Sequence, residues 1–362
     1  MSIRSWVAGS AIIGLCSLGA VNCSAAEPAA EKAPSIEELE KANPVEALPA
    51  SPLGIEQKLP ELKAPPTPER VQLGRWLFFD KRLSADGTIA CASCHRPENG
   101  FSEPTPVSTG IKGQKGNRKA PSFVNAAFAF FPETFWDGRA GSLEEQAAGP
   151  MANPIEMGNT HEGVVKLVGA NANYKYFFRK AYGDETVTLP RITQAIADYE
   201  RTRMSGNSPW DRYKAGDAKA VGEDVKLGEE LFFGKANCTR CHVGVAFTDS
   251  RFHNLGIGWD EGKKEFSDKG RNAVSKKDED LGAFKTPGLR ETALHAPYMH
   301  DGSLATLEDV VAHYRKGGTK NPHLSPKMEP LTIDDKEAAA LVAFMKALSG
   351  EGFQDKAPSV FP

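Results

Sequence analysis

The 362-residue sequence is poor in cysteine, in strand-forming patterns and in long apolar runs. Of its six cysteines, Cys16 and Cys23 lie near the N-terminus and the other four form two short repeats, so no spare thiol remains beyond the N-terminal segment. After that segment no stretch is apolar enough to span a membrane. The formal net charge of −3 comes without the concentrated basic stripe of a nucleic-acid binder. These absences argue against a transmembrane anchor and against nucleic-acid binding.

The two cysteine repeats are both C-x-x-C-H pentapeptides, at residues 91–95 and 238–242. This pattern is the attachment site of c-type haem, in which two thiols bond to the porphyrin and the histidine ligates the iron. A thioredoxin-like pair or half a zinc site is the alternative for a lone C-x-x-C, but a histidine follows both copies. We therefore predict two covalently bound haem c groups. Their predicted attachment residues are Cys91, Cys94, Cys238 and Cys241, and their predicted iron ligands are His95 and His242.

Residues 1–26 are typical of a secretory signal peptide. Arg4 gives a positive start, an apolar run covers residues 6–21, and the Ser-Ala-Ala that ends at Ala26 resembles a cleavage site. The run is short for a membrane anchor, which needs about 20 apolar residues, and lipidation at Cys23 is a further alternative. We predict cleavage near Ala26 and a periplasmic location, which suits covalent haem and a chain without free thiols.

The rest of the chain predicts a mainly α-helical fold made of two cytochrome c-like domains, each with one covalent haem, long loops and little β-structure. Both haem motifs follow a V-x-L-G-x-x-L-F-F segment, at residues 71–79 and 225–233, whose apolar residues fall on one helical face. The order of helix, loop and C-x-x-C-H therefore indicates a duplicated unit. The predicted divisions are a Pro-rich arm (27–68), which is either a tether or lies along the surface, an N-terminal domain with the first haem (69–220), a C-terminal domain with the second haem (221–350) and a tail (351–362).

Three further helices are predicted from apolar spacing and capping residues. The first begins near Leu189, and the second follows a Thr306 cap and stops at Gly317 and Gly318. The third follows a Thr332 cap and ends at Gly350.

Several motifs in one order resemble the bacterial dihaem cytochrome c peroxidases and their MauG-like branch. The resemblance covers roughly residues 65–350. The matching motifs are F-W-D-G-R-A at 135–140, N-P-I-E-M at 153–157, F-T-D at 247–249, F-H-N at 252–254, F-K-T-P at 284–287 and A-P-Y-M-H-D-G at 296–302.

The resemblance implies three catalytic residues near the first haem. Glu156 would carry the proton between the two peroxide oxygens, a role that suits a carboxylate. Gln146 would orient the peroxide, and Trp136 would carry electrons between the haems. Read without the resemblance, each is an ordinary loop, helix or core residue.

The iron ligands implied by the resemblance favour the MauG-like branch. Where a loop histidine caps the first haem in the branch that requires reductive activation, this sequence has Ile111, and the nearest downstream histidine is His161. Fourteen residues after His300, where that branch has methionine, this sequence has Tyr314. We predict an open first haem and Tyr314 as the second ligand of the other. Met299, His313 and Met328 are the competing ligands.

A calcium ion between the domains is also implied, with backbone ligands at His295 and Pro297. The usual asparagine ligand corresponds to Lys119, and an ammonium cannot ligate calcium, whose partners are oxygens. Asn117 or water would have to substitute, so calcium stays an open question.

The predicted function is a secreted peroxidase that reduces hydrogen peroxide with electrons relayed between two haems. The resemblance implies that the haem of the N-terminal domain is the peroxidatic one and that the haem of the C-terminal domain is the electron-transfer one. Its partner would be a small electron-donor protein, either a cytochrome c or a copper protein. One alternative is MauG-like oxidation of a tryptophan or tyrosine on a partner protein, and another is a dihaem electron carrier without catalysis.

Overall fold

The computed structural model describes residues 33–55, 62, 64–128 and 131–362. The predicted signal peptide, residues 1–26, lies outside the described residues, as does the start of the predicted arm. Within the described ranges, no helix is long and apolar enough to cross a membrane.

The described chain is mainly helical, which confirms the predicted fold class at that level. The helices are α1 (Ile36–Ala42), α2 (Pro68–Phe79), α3 (Cys91–Cys94), α4 (Leu143–Ala152), α5 (His161–Ala170), α6 (Ala172–Tyr182), α7 (Leu189–Arg201), α8 (Pro209–Lys214), α9 (Glu223–Phe233), α10 (Asn272–Ser275), α11 (Leu307–Arg315) and α12 (Asp335–Lys346). The strands are β1 (Phe252–Asn254), β2 (Trp259–Asp260), β3 (Glu265–Phe266) and β4 (Ala283–Lys285). They form two antiparallel pairs, β1 with β4 and β2 with β3.

The repeated V-x-L-G-x-x-L-F-F segment forms α2 in the first half and α9 in the second, and its glycine explains how each helix packs. A Cβ atom at Gly74 would lie 1.8 Å from the backbone oxygen of Ala195 in α7. A Cβ atom at Gly228 would lie 2.0 Å from the backbone oxygen of Ala340 in α12. Both glycines are therefore required by the same close helix-to-helix contact.

Two hydrophobic clusters are built around these helix pairs. The first lies between α2, α6 and α7 and includes Trp76, Phe78 and Tyr199. The second lies between α9, α11 and α12 and includes Phe232 and Phe344. Residues 34–362 nevertheless form one compact unit.

The predicted helix starting points are correct for α7 and α11 but wrong for α12. Thr306 accepts a hydrogen bond from the Asp309 amide and begins α11. In α12 the cap is Asp334 rather than Thr332, and the helix ends at Lys346 rather than near Gly350. The reason is a reciprocal capping box, in which Asp334 and Glu337 each bond the other's backbone amide.

Both ends of the described chain pack against the folded body. Leu39 of α1 and Ile55 are fully buried, so the described part of the Pro-rich arm follows the surface instead of forming a free tether. In the C-terminal tail, Asp355 forms an ion pair with Arg75 of α2 at 2.7 Å. These contacts place the tail against the first half of the protein.

Candidate functional site

A cavity of about 1330 Å³ lies beside the first C-x-x-C-H motif. It exceeds the roughly 300–1,000 Å³ of ordinary small-molecule pockets, so it has room for a macrocycle and a small substrate. Six of the predicted site residues line it together: Cys91, Cys94, His95, Trp136, Gln146 and Glu156.

His95 follows α3 and is held by a backbone contact. Its Nδ1 lies 3.1 Å from the carbonyl oxygen of Phe101, so Nδ1 carries the proton and Nε2 is the nitrogen left for a metal. Burial also lowers the pKa of His95 and keeps the ring neutral. A neutral, oriented imidazole is the form that ligates iron.

The cysteines of this motif are unpaired thiols. Burial raises the pKa of Cys91 to about 12 and that of Cys94 to about 11. A redox-active C-x-x-C pair needs the opposite shift, because the thiolate is the nucleophile. These pKa shifts are therefore opposite to those of a thioredoxin-like pair.

Glu156 lies in the loop after α4, with its carboxyl group at the cavity wall. Burial raises its pKa, while the charge of Arg139 and a 2.7 Å hydrogen bond from Asn153 oppose that rise. The net shift is upward. A carboxyl group whose pKa moves toward neutrality exchanges protons more readily at neutral pH.

Gln146 comes from the middle of α4, ten residues before Glu156. The Ser142 hydroxyl accepts a hydrogen bond from the Glu145 amide and begins this helix. The helix and the loop after it therefore place an amide and a carboxyl group on one cavity.

Trp136 lies where the two halves of the protein meet. Its indole N–H donates to the carbonyl oxygen of Lys119 at 2.8 Å, and its own carbonyl accepts from the Lys285 amide of β4 at 2.8 Å. It lines the large cavity and also a second cavity of about 80 Å³, which His295 and Tyr298 line from the other half. The indole is therefore fixed at the junction of the two halves, beside the cavity of the first motif.

Ile111, at the position where the resemblance implies a histidine, is buried and packs on the Glu156 loop. Its amide donates to the Glu156 carbonyl at 2.9 Å. Among the described residues, His95 is the only histidine lining the large cavity. His161 is occupied elsewhere, since its Nε2 lies 2.9 Å from the carbonyl of Ala148.

The second C-x-x-C-H motif repeats the geometry of the first. His242 Nδ1 lies 2.8 Å from the Phe247 carbonyl, just as His95 contacts Phe101. Burial lowers the pKa of His242 and raises the pKa of Cys238 to about 12. The same arrangement in both halves is what a duplicated metal-ligating unit requires.

Tyr314 of α11 lies beside this motif. Burial raises its pKa, and the nearby sulfurs of Cys241 and Cys238 add to the shift. Of the competing residues, His313 points away, with Nε2 2.9 Å from the Leu255 carbonyl.

The two methionine competitors lie in different places. Met299 lines the small cavity between the halves. Met328 lies beside the second motif, since its neighbours Lys327 and Glu329 both bond Arg240 of that motif, and it remains a competing ligand.

Cys241 also belongs to a cluster with Asp249 and His253, whose candidate ligand atoms lie within 4.8 Å of one another. Burial lowers the pKa of His253, but hydrogen bonds to Asp249 and Cys241 outweigh it and raise the pKa to about 9. The His253 ring is paired with the Asp249 carboxylate at 2.8 Å. Cys241, the third member of the cluster, is one of the predicted haem-attachment residues.

Sequence reasoning missed three side chains at the large cavity. Arg139 and Asn153 both oppose the rise in the Glu156 pKa, and they belong to the motifs F-W-D-G-R-A and N-P-I-E-M. Glu200 of α7 is buried with one carboxyl oxygen unpaired, and burial raises its pKa to about 8. No local pattern distinguishes Glu200 from a surface glutamate.

Comparison with known proteins gives consistent matches. Residues 68–219 match the family model described as di-haem cytochrome c peroxidase. The chain is 42% identical to the methylamine utilization protein MauG of Methylorubrum extorquens, with 82% of each chain covered. It is 37% identical to the cytochrome c551 peroxidase of Nitrosomonas europaea, covering 82% of this chain and 85% of that one.

Among solved structures, the chain matches a MauG-like protein associated with microbial copper homeostasis, with a TM-score of 0.75 and 33% identity over 83% of this chain and 97% of that one. The diheme peroxidase BthA of Burkholderia thailandensis shares the fold, with a TM-score of 0.65 at 22% identity. On this similarity, the chain belongs to the di-haem cytochrome c peroxidase family and is an oxidoreductase whose family cofactors are two haems.

Proposed function

We propose that this protein is a periplasmic c-type peroxidase that reduces hydrogen peroxide to water at the cavity beside His95. One observation carries the proposal: Glu156, Gln146 and His95 line the same cavity. An electron carrier needs the histidine but neither of the other two. The name of the Nitrosomonas europaea relative agrees with peroxide as substrate.

The proposal assigns one haem to each half. Residues 69–220 would hold the first haem, with thioether bonds at Cys91 and Cys94 and His95 on the iron. Residues 221–350 would hold the second, bonded at Cys238 and Cys241. The iron of each haem supplies redox chemistry that no side chain offers.

At the first site the protein's task is to bind peroxide and move one proton. The Gln146 amide holds the peroxide by hydrogen bonding. The ionised Glu156 accepts the proton of the inner oxygen and delivers it to the outer one, which leaves as water. The Arg139 charge and the hydrogen bond from Asn153 favour the ionised form, because both oppose the rise in the Glu156 pKa that burial causes. Two electrons and two protons convert one peroxide into two waters.

Electrons would reach the first site through Trp136. Its indole lines both cavities and is fixed by its hydrogen bond to the Lys119 carbonyl. A small cytochrome c or copper protein would supply them through the second half. Tyr314, beside the second motif, is the proposed further ligand there.

A second candidate is oxidation of a tryptophan or tyrosine on a partner protein. Ile111 favours it, because this buried side chain supplies no imidazole to close the first site. The 42% identity to a MauG protein agrees. In this case the oxidised protein would persist until its partner arrives.

Titration of the fully reduced protein with peroxide tests the proposal. We expect complete and rapid oxidation at one peroxide per chain, since each haem supplies one electron. Slow or absent oxidation would leave only the electron carrier. If oxidation is rapid, continuous turnover with a reduced small cytochrome would favour the peroxidase. A persistent oxidised state without turnover would favour protein modification.

A further inference from the structure

The residues where the family resemblance implies calcium do not fit that ion. Lys119 occupies the position of the asparagine ligand, and an ammonium group has three donors and no acceptor. Calcium takes oxygen ligands. Asn117, the one nearby amide that would replace the asparagine, donates instead to Asp268 at 3.1 Å in an exposed position.

The Lys119 side chain is buried, and its ammonium group donates to two backbone carbonyls at this junction. Lys119 is only 4% exposed. Its Nζ donates to the backbone carbonyl of Glu103 and, at 3.4 Å, to that of Thr105. Backbone carbonyls are typical ligands of a hard cation, and here a covalently attached cation binds them.

The Glu103 carboxylate is the charge that favours the ammonium form, since it opposes the fall in the pKa of Lys119, to about 8, that burial causes. The Glu103 carboxylate lies in the same loop and accepts hydrogen bonds from the Ala120 amide at 2.6 Å and the Ser108 hydroxyl at 2.5 Å. Lys119, His295 and Pro297 line the same small cavity. The ammonium therefore lies close to the segment that would supply the calcium-ligating carbonyls, and a divalent ion beside it would be repelled.

We propose that the Lys119 ammonium is the resident cation of this junction and that the protein needs no calcium there. The backbone of the same residue joins the two halves, because its amide donates to the His300 carbonyl and its carbonyl accepts from Trp136, both at 2.8 Å. One residue thus supplies the charge and fixes the bridging indole. The proposal holds whether or not the protein is a peroxidase.

Metal analysis and thermal unfolding of the haem-loaded protein test this inference. Dialysed wild-type protein should contain no stoichiometric calcium, and its Tm should be the same in calcium and in EGTA. Lys119→Asn restores an oxygen ligand and should raise Tm by about 2 °C or more when millimolar calcium is added. Lys119→Met should lower Tm without any response to calcium.

Lys285→Asn is the matched control, because Lys285 is also poorly exposed and donates to a backbone carbonyl, that of Glu133, away from this loop. It should show no calcium response. One calcium per wild-type chain, or a fall in wild-type Tm with EGTA, would overturn the proposal even if both Lys119 variants failed to fold. A Lys119→Asn protein whose Tm does not respond to calcium would also overturn it, as would a Lys119→Met protein with the Tm of wild type.

Discussion

Replacing Asn153 by alanine should move the pH dependence of the peroxide reaction without abolishing it. Asn153 donates to Glu156 at 2.7 Å, and this bond stabilises the carboxylate and lowers its pKa. A hydrogen bond to a charged group contributes about 1.5–3 kcal/mol, and one pKa unit corresponds to about 1.36 kcal/mol. The variant should therefore raise the pKa of Glu156 by about one to two units.

The sign of the effect follows from the proposed role. Glu156 must be ionised to accept the peroxide proton, so the rate falls as the pH falls through its pKa. In Asn153→Ala this acid limb should move to higher pH, with little change in the rate on the alkaline plateau. Stopped-flow measurement of peroxide reduction between pH 4 and 9 would show it. An acid limb that stays in place would refute the assignment of that limb to Glu156.

Three other predictions concern the second site, the bridge and the buried carboxyl group. Ferric protein should show one high-spin haem, the open first one, and one low-spin haem, the second. Tyr314→Phe should change the low-spin signal in electron paramagnetic resonance and leave the high-spin signal nearly unchanged; an untouched low-spin signal would indicate Met299, Met328 or His313. Trp136→Phe should slow oxidation of the second haem after peroxide is added, whereas Trp210→Phe, in the second core, should not. Glu200 has a pKa of about 8, above its unfolded value, so stability is lost as pH rises toward 8; Glu200→Gln should reduce this loss, by on the order of 1 kcal/mol per pH unit between about pH 5 and 8 in denaturant unfolding.

Local patterns in the sequence predict much of the fold. The repeated segment predicted α2 and α9, and Thr306 predicted the start of α11, because apolar spacing and capping act over a few residues. The α12 cap was wrong because a stronger reciprocal cap, at Asp334, lies two residues further on. Helix α1 was missed, since the prolines around it hide a short helix that is stabilised by burying Leu39 against the body.

The candidate site was only partly predictable. Motif spacing and the family resemblance brought forward Glu156, Gln146 and Trp136, which the structure brings to one cavity. The pKa of each group depends on its burial and on partners that are distant in sequence. No local sequence pattern encodes either of these. Glu200 is an example, because its raised pKa arises from its position inside the packed first half.

The most direct test of the central claim is the rate at which peroxide oxidises the reduced Glu156→Gln protein. General acid–base catalysis contributes about 10²- to 10⁴-fold, so the variant should react slower by that factor. Glu162→Gln, which changes an exposed carboxylate on α5, is the control and should react like wild type. A Glu156→Gln protein that reacts as fast as the control would contradict the assignment of the cavity beside His95 as the peroxide site.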